Sequence, residues 1–185
     1  MFKHAGTKEI ITSRLILRKF SISDTSNVFK NWSSDPENLK FMSWKAHSNL
    51  VETESYLCRI VPKYIKDSYY HWAIVLKSNA EEAIGSISVE LFFSFNNCME
   101  IGYTLSKKHW NQGIMTESLK AVQDFLFENT DCHRIQARHA VENKASGRVM
   151  VKTGMKFEGI LREFDRTSKG EWMDAALYSM LKKDV

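Results

Sequence analysis

The stretch Glu100-Ile-Gly-Tyr-Thr-Leu-Ser-Lys-Lys-His-Trp-Asn-Gln-Gly-Ile-Met-Thr-Glu117 carries the densest chemistry in the chain. A strand-like segment runs into a polar loop, and Gly113 stands at the mouth of an amphipathic helix. The first N–H groups of a helix have no partner within it and lie at the positive end of its dipole. A glycine there lets an anion approach the backbone, so the arrangement can cradle a phosphate. Many helices also begin after a glycine for steric reasons alone. Further on, Lys144, Arg148 and Lys152 recur at four-residue intervals on one helix face, which either attracts phosphates or is simply solvated. Glu100 is a carboxylate in an apolar strand, a setting that favours proton uptake; the alternative is a strand residue turned outward. The histidines at 4, 47, 71, 109, 133 and 139 show no HExxH or similar spacing, so no metal is expected. Cys58, Cys98 and Cys132 form no CxxC pair and suggest neither a disulfide framework nor a covalent nucleophile.

These residues need elements to position them. Alternating apolar residues predict strands over 14–20, 71–76, 83–92, 98–105 and 134–140, with Asn96-Asn97 as a hairpin turn. Helices are expected after Asp24, from Asp35-Pro36 to about Met42, from Ser48 to about Lys66 with an interruption at Pro62, and over 114–128 and 144–153. Gly154 suits a left-handed helix stop, and strands over 156–164 and 171–181 close the chain as a hairpin. Strands and helices intermix with hairpins, which predicts an α/β (α+β) fold around one mixed sheet.

Composition narrows the classes. A length of 185 residues, 43% hydrophobic and 26% charged, suits one folded domain over 1–185 and excludes intrinsic disorder. No apolar run is long enough for a membrane helix, and the N-terminus lacks an apolar signal core, so a cytoplasmic protein is expected. The formal net charge of +4 is spread along the chain, which argues against direct nucleic-acid binding.

Trp110-Asn-Gln-Gly-Ile-Met-Thr-Glu117, preceded by Glu100-Ile-Gly-Tyr103, resembles the acyl-CoA-binding motif of the GNAT N-acetyltransferases. It is most similar to the branch containing the ribosomal-protein N-terminal (alanine) acetyltransferases. Thr12-Ser-Arg-Leu-Ile-Leu-Arg18, Asn143-Lys-Ala-Ser146 and Gly154-Met-Lys-Phe-Glu-Gly-Ile-Leu-Arg162 resemble further segments of that branch, in the same order. The resemblance implies a mostly antiparallel GNAT-like sheet flanked by helices and splayed between the strands ending near Leu105 and Ala140. It implies acetyl-CoA as the acyl donor. Its pantetheine arm would lie against Tyr103, Thr104 and Leu105, and its pyrophosphate on the loop and helix mouth at Trp110, Asn111, Gln112, Gly113, Ile114, Met115 and Thr116. Gln112 stands where the branch often has a basic residue, so one charge contact is missing. Asn143 would cap its helix, bind pantetheine, or both.

Acetyl transfer to an amine needs a free lone pair. At pH 7 an α-amine costs about 1.4 kcal/mol to deprotonate and a lysine about 4.6 kcal/mol. A proton acceptor, a proton donor for the departing thiolate and donors for the developing oxyanion are therefore required. The candidate bases are Glu100 and, by the resemblance, Asp165, which otherwise caps the turn between the last strands. The tyrosine acid of many GNAT enzymes is replaced here by Met150, so the resemblance points to Ser146; the alternative is a serine satisfied by local backbone. Phe41, Trp44, Trp72 and Trp172 are candidates for an acceptor pocket, some of them alternatively core. The favoured acceptor is a protein or peptide N-terminal α-amine, with a small-molecule amine as the second reading. Met150 and Gln112 keep open a third, an inactive acyl-CoA-sensing module. The chain is expected to work as a monomer or homodimer.

Overall fold

A computed structural model describes residues 2–184. Eight strands form one sheet: β1 (Ile10–Ile11), β2 (Leu15–Arg18), β3 (His71–Leu76), β4 (Asn79–Phe93), β5 (Cys98–Leu105), β6 (Arg134–Ala140), β7 (Lys156–Arg166) and β8 (Trp172–Leu181). Their spatial order is β1-β2-β3-β4-β5-β6-β8-β7, antiparallel throughout except for β5 beside β6. The four α-helices are α1 (Thr25–Val28), α2 (Leu50–Ile60), α3 (Ile114–Asn129) and α4 (Lys144–Lys152).

Alternation along the strands feeds two cores. Leu15, Leu17, Trp72, Ile74, Ile87, Met99 and Ile101 bury one face of the sheet against Leu119, Val122 and Leu126 of α3 and Met150 of α4. Ala73, Val75 and Ala83 turn to the other face, which packs on Phe20, Val28, Trp32 and the Leu57 and Ile60 stripe of α2.

The pairing of β5 with β6 is brief. Cys98, Met99 and Glu100 lie opposite Arg134, Ile135 and Gln136, and the ladder then stops. β5 continues on β4 as far as Leu105, and β6 continues on β8 as far as Ala140. The sheet therefore splays open between residues 101–105 and 137–140, as expected.

The expected helix over 35–42 is instead a chain of tight turns: Asn38 bonds Thr104 across the fold, Asp35 pairs with Lys107, and Leu39 is buried. These tertiary contacts outweigh the local helix signal of Asp35-Pro36. The cap of α2 is Asn49, whose side chain accepts from the Glu52 N–H, while Ser48 bonds the Glu52 carboxylate. Asp24 is a buried partner of Arg18 at 2.7 Å and closes a capping box with Ser21. α2 ends before Pro62 and continues as a tight turn to Ile65. The hairpin at Asn97 and the stop at Gly154 form as expected, with φ of 51° and 87°.

Candidate functional site

The loop after β5 turns sharply at Asn111 (φ 59°) and Gly113 (φ 76°) before α3 begins. Glycine is needed at 113, since that backbone strains any side chain. Gly113 caps α3 with no side-chain hydrogen bond, which leaves the first N–H groups of the helix without a cap. The helix mouth is anchored by the turn between β1 and β2. Glu117, in the first turn of α3, accepts from Thr12 Oγ1 at 2.5 Å, from Ser13 Oγ and the Arg14 N–H at 2.9 Å each, and from Arg14 Nε at 2.7 Å. Arg14 Nη1 also donates to the Gln112 carbonyl at 2.9 Å. Burial alone would raise the Glu117 carboxyl, but the bonds from Thr12, Arg14 and Ser13 hold it down at about 2. Thr12-Ser-Arg14 and the helix-mouth motif are thus two halves of one lock.

A cavity of about 560 Å³ opens over this mouth and along the splayed edge of β5. Of the residues expected to bind cofactor, Tyr103, Thr104, Leu105, Trp110, Asn111, Gly113, Ile114, Met115, Thr116, Asn143 and Ser146 line it. Gln112 does not. Its amide folds back onto the Lys108 carbonyl at 2.8 Å, so the departure from a basic residue leaves no side chain on this wall. Lys144, Arg148 and Lys152 line the cavity together, so the basic stripe of α4 faces it. Asn38 lines it too, and its buried Oδ1 has no hydrogen-bond partner.

A second cavity, about 670 Å³, lies on the other side of the same splay. Phe41, Met42, Tyr103, Thr104, Asn143 and Ser146 belong to both. At this junction the Tyr103 hydroxyl lies 2.8 Å from Ser146 Oγ and donates to the Ser146 carbonyl at 3.1 Å. Burial holds the phenol well above its ordinary range, outweighing the downward pull of Ser146. It is a protonated donor at neutral pH. Asn143 Oδ1 accepts from the Ser146 N–H at 3.3 Å and so caps α4, as anticipated. Met150 faces the core, which removes it from the site altogether.

The two candidate bases share one cation. Arg138 of β6 pairs with Glu100 and, through Nε at 2.9 Å, with Asp165. Gln136 Nε2 donates to the other Glu100 oxygen at 2.7 Å. Glu100 is buried, and a bulge in β7 between Leu161 and Asp165 turns Asp165 toward the same guanidinium. Both carboxylates line the second cavity but are committed to Arg138.

The aromatic candidates divide. Phe41 and Trp44 line the second cavity. Trp72 does not: it is 0% exposed in the main core, with its indole N–H on the Lys8 carbonyl at 2.6 Å. Trp172 is 54% exposed on the last hairpin, outside the cavity and beneath the Arg166 guanidinium at 3.7 Å. Sequence reasoning missed the Tyr103 phenol and Asn38. Asn38 carried no motif, and the phenol's partner is 43 residues away. Among the described residues no cluster of potential metal ligands occurs, and no helix is long and apolar enough to cross a membrane.

A cleft with a phosphate-suited helix mouth on one side and a chamber lined by polar and aromatic side chains on the other is built for group transfer between two substrates. Comparison with known proteins agrees. Residues 14–156 match the acetyltransferase (GNAT) domain family. An uncharacterized N-acetyltransferase, p20 of Bacillus licheniformis, is 27% identical over 175 residues, covering 95% of this chain and 97% of that one. The ribosomal-protein-serine acetyltransferase of Escherichia coli is 31% identical over 83 residues, 45% of this chain and 46% of that one. A GNAT-family acetyltransferase structure from Bacillus anthracis superposes with a TM-score of 0.82 at 26% identity, covering 95% and 99% of the two chains. The chain belongs to the GNAT acetyltransferase family, and it is an acyl-CoA-dependent N-acetyltransferase that uses acetyl-CoA.

Proposed function

We propose that the chain, acting as one unit over residues 1–185 in the cytoplasm, acetylates a primary amine, foremost the N-terminal α-amine of a protein or peptide. The observation that carries this reading is the meeting of two cavities at the Tyr103–Ser146 hydroxyl pair. The first cavity fits the donor. The uncapped mouth of α3 and the Lys144, Arg148 and Lys152 face suit phosphates, and the free Asn38 Oδ1 suits an amide N–H. Bound there, acetyl-CoA supplies an activated thioester.

The protein's own groups do the rest. Tyr103 and Ser146 hold a proton where the cavities join, the position from which a leaving thiolate can be protonated. The splayed edge of β5 presents backbone groups that no neighbouring strand takes up. Glu100 and Asp165 share Arg138. Their first duty is to fix the wall of the acceptor chamber. The α-amine is favoured by its low deprotonation cost and by the resemblance to the Escherichia coli enzyme, which acts on a ribosomal protein. A small-molecule amine is the second reading, supported by the aromatic side chains of Phe41 and Trp44 on the chamber wall.

The test is thiol release from acetyl-CoA in the presence of peptides with free N-termini, the same peptides N-terminally blocked but carrying lysine, and small amines. Turnover is expected with free α-amines and not with blocked peptides. Turnover confined to lysine peptides or small amines rejects the α-amine assignment.

A further inference from the structure

We propose that Glu90 is the residue that receives the charged amine of the acceptor as it enters the chamber, before the amine gives its proton to solvent and attacks as the free base. This positioning role rests on the amine-acetylating reading above. Glu90 is the extra residue of a β-bulge. Val89 lies opposite Ile101 and Leu91 opposite Glu100, which leaves Glu90 without a partner in the ladder. The bulge carries its side chain over Gly102. A Cβ at 102 would come within 2.8 Å of Glu90 Cγ and 3.1 Å of its Oε1. Glycine at 102 is therefore what allows the carboxylate to lie there. Ser88 Oγ fixes it with a hydrogen bond of 2.5 Å to Oε1.

The charge is uncommitted. Among the described residues Glu90 takes part in no salt bridge, whereas Glu100 and Asp165 both share Arg138. Glu90 lines the acceptor chamber together with Trp44, Tyr56 and His71, with Lys45 and Arg59 elsewhere on the same wall. Its charge reaches the neighbouring Tyr69, whose phenol is pushed up to about 12 by burial and by Glu90. A carboxylate beside aromatic rings is a site for an ammonium group, by charge-assisted hydrogen bonding on one side and cation–π attraction on the other. Burial keeps His71 neutral, with a pKa near 4, so it does not compete for Glu90 as a cation. Glu90 itself is exposed. An incoming amine therefore meets a hydrated, accessible carboxylate at the chamber's mouth. Gly102, Tyr103 and Ser146 line the same chamber as Glu90, so the ammonium site and the hydroxyl pair open onto one space.

The test uses the full chain and the best acceptor found among the peptides and small amines. Glu90→Gln keeps the size and the Ser88 contact but removes the charge. It is expected to raise the acceptor KM at least tenfold while the acetyl-CoA KM stays within twofold, and Glu90→Asp is expected to restore at least half of the loss. An unchanged acceptor KM, an equal rise in both KM values, or failure of Glu90→Asp to restore anything overturns the assignment. If the wild type binds CoA but acetylates no amine, the amine-acceptor reading fails and takes this assignment with it. If the wild type acetylates amines and Glu90→Gln is silent, only this assignment fails.

Discussion

Replacing Glu117 by Gln tests whether the lock between Thr12-Ser-Arg14 and the mouth of α3 is electrostatic. The folded chain holds the Glu117 carboxyl at about 2, against an ordinary value of 4.5. That difference corresponds to about 3.4 kcal/mol at neutral pH. Arg14 is half exposed, at 49%, so solvent screening reduces the effective contribution to roughly 1.5–2 kcal/mol. The unfolded chain takes up the proton first, because its carboxyl has the higher pKa. The stabilisation is therefore complete above 4.5 and is lost as pH falls from there toward about 2. Urea unfolding of wild type and Glu117→Gln at pH 7, 5, 4 and 3 measures it. The wild type should lead at pH 7 by roughly 1.5–2 kcal/mol, and the lead should shrink through the acid range. Glu158, also held at about 2 by Arg134 and Ser179, titrates in both proteins and cancels in the difference. A gap that stays constant from pH 7 to pH 3, or no gap at pH 7, refutes the reasoning.

Three further outcomes are expected. Asn38→Leu should weaken CoA roughly fivefold by calorimetry, about 1 kcal/mol for one lost hydrogen bond. It should leave 3′,5′-ADP, which lacks the pantetheine arm, unaffected; equal losses for both ligands count against a pantetheine contact. Ser146→Ala and Tyr103→Phe should each lower kcat by roughly 10- to 100-fold with CoA affinity kept within twofold, and unchanged single-turnover rates would remove the pair from the chemistry. Trp72→Ala should cost about 3–5 kcal/mol of stability, as a fully buried indole does. Trp44→Ala, at a half-buried ring packed on the edge of the second core, should cost less stability than Trp72→Ala and should raise the acceptor KM. The reverse order would mean that core and chamber have been confused.

Where local pattern and tertiary demand agree, the elements were legible. Strands over 71–76, 98–105 and 134–140 form at the expected residues because apolar alternation serves the two cores on either side of them. Helix α3 begins at Gly113 because a glycine turn and an amphipathic run coincide there. The segment 35–42 was not legible, because its conformation is set by Lys107 and Thr104, more than sixty residues away. Side-chain destination was harder still. Trp44 and Trp72 are the same residue type in comparable apolar contexts, yet one lines the chamber and the other is sealed in the core. The Glu90 bulge had no signal of its own. The nearest hint was Gly102, a glycine within a strand pattern, which commonly marks close approach of another group. The lock at Glu117 joins two motifs that were both visible, but only their distances reveal that they touch.

The clasp at Arg138 engages both of the carboxylates singled out by type and position. Glu100 and Gln136 form the last register pair before β5 and β6 separate. At that point Glu100 reaches across to Gln136 and Arg138, both on β6, and Arg138 continues to Asp165 on β7. Side-chain bonds thus take over where main-chain bonds end, and they hold the apex of the splay at a fixed place. Two carboxylates and one guanidinium leave one net negative charge at the clasp itself. Removing either carboxylate would leave Arg138 with a single partner and loosen the apex on which both cavities depend. A loss of activity in Glu100 or Asp165 variants therefore does not identify a base. The acceptor KM in Glu90 variants, where no such clasp is broken, separates charge recognition from the architecture of the splay.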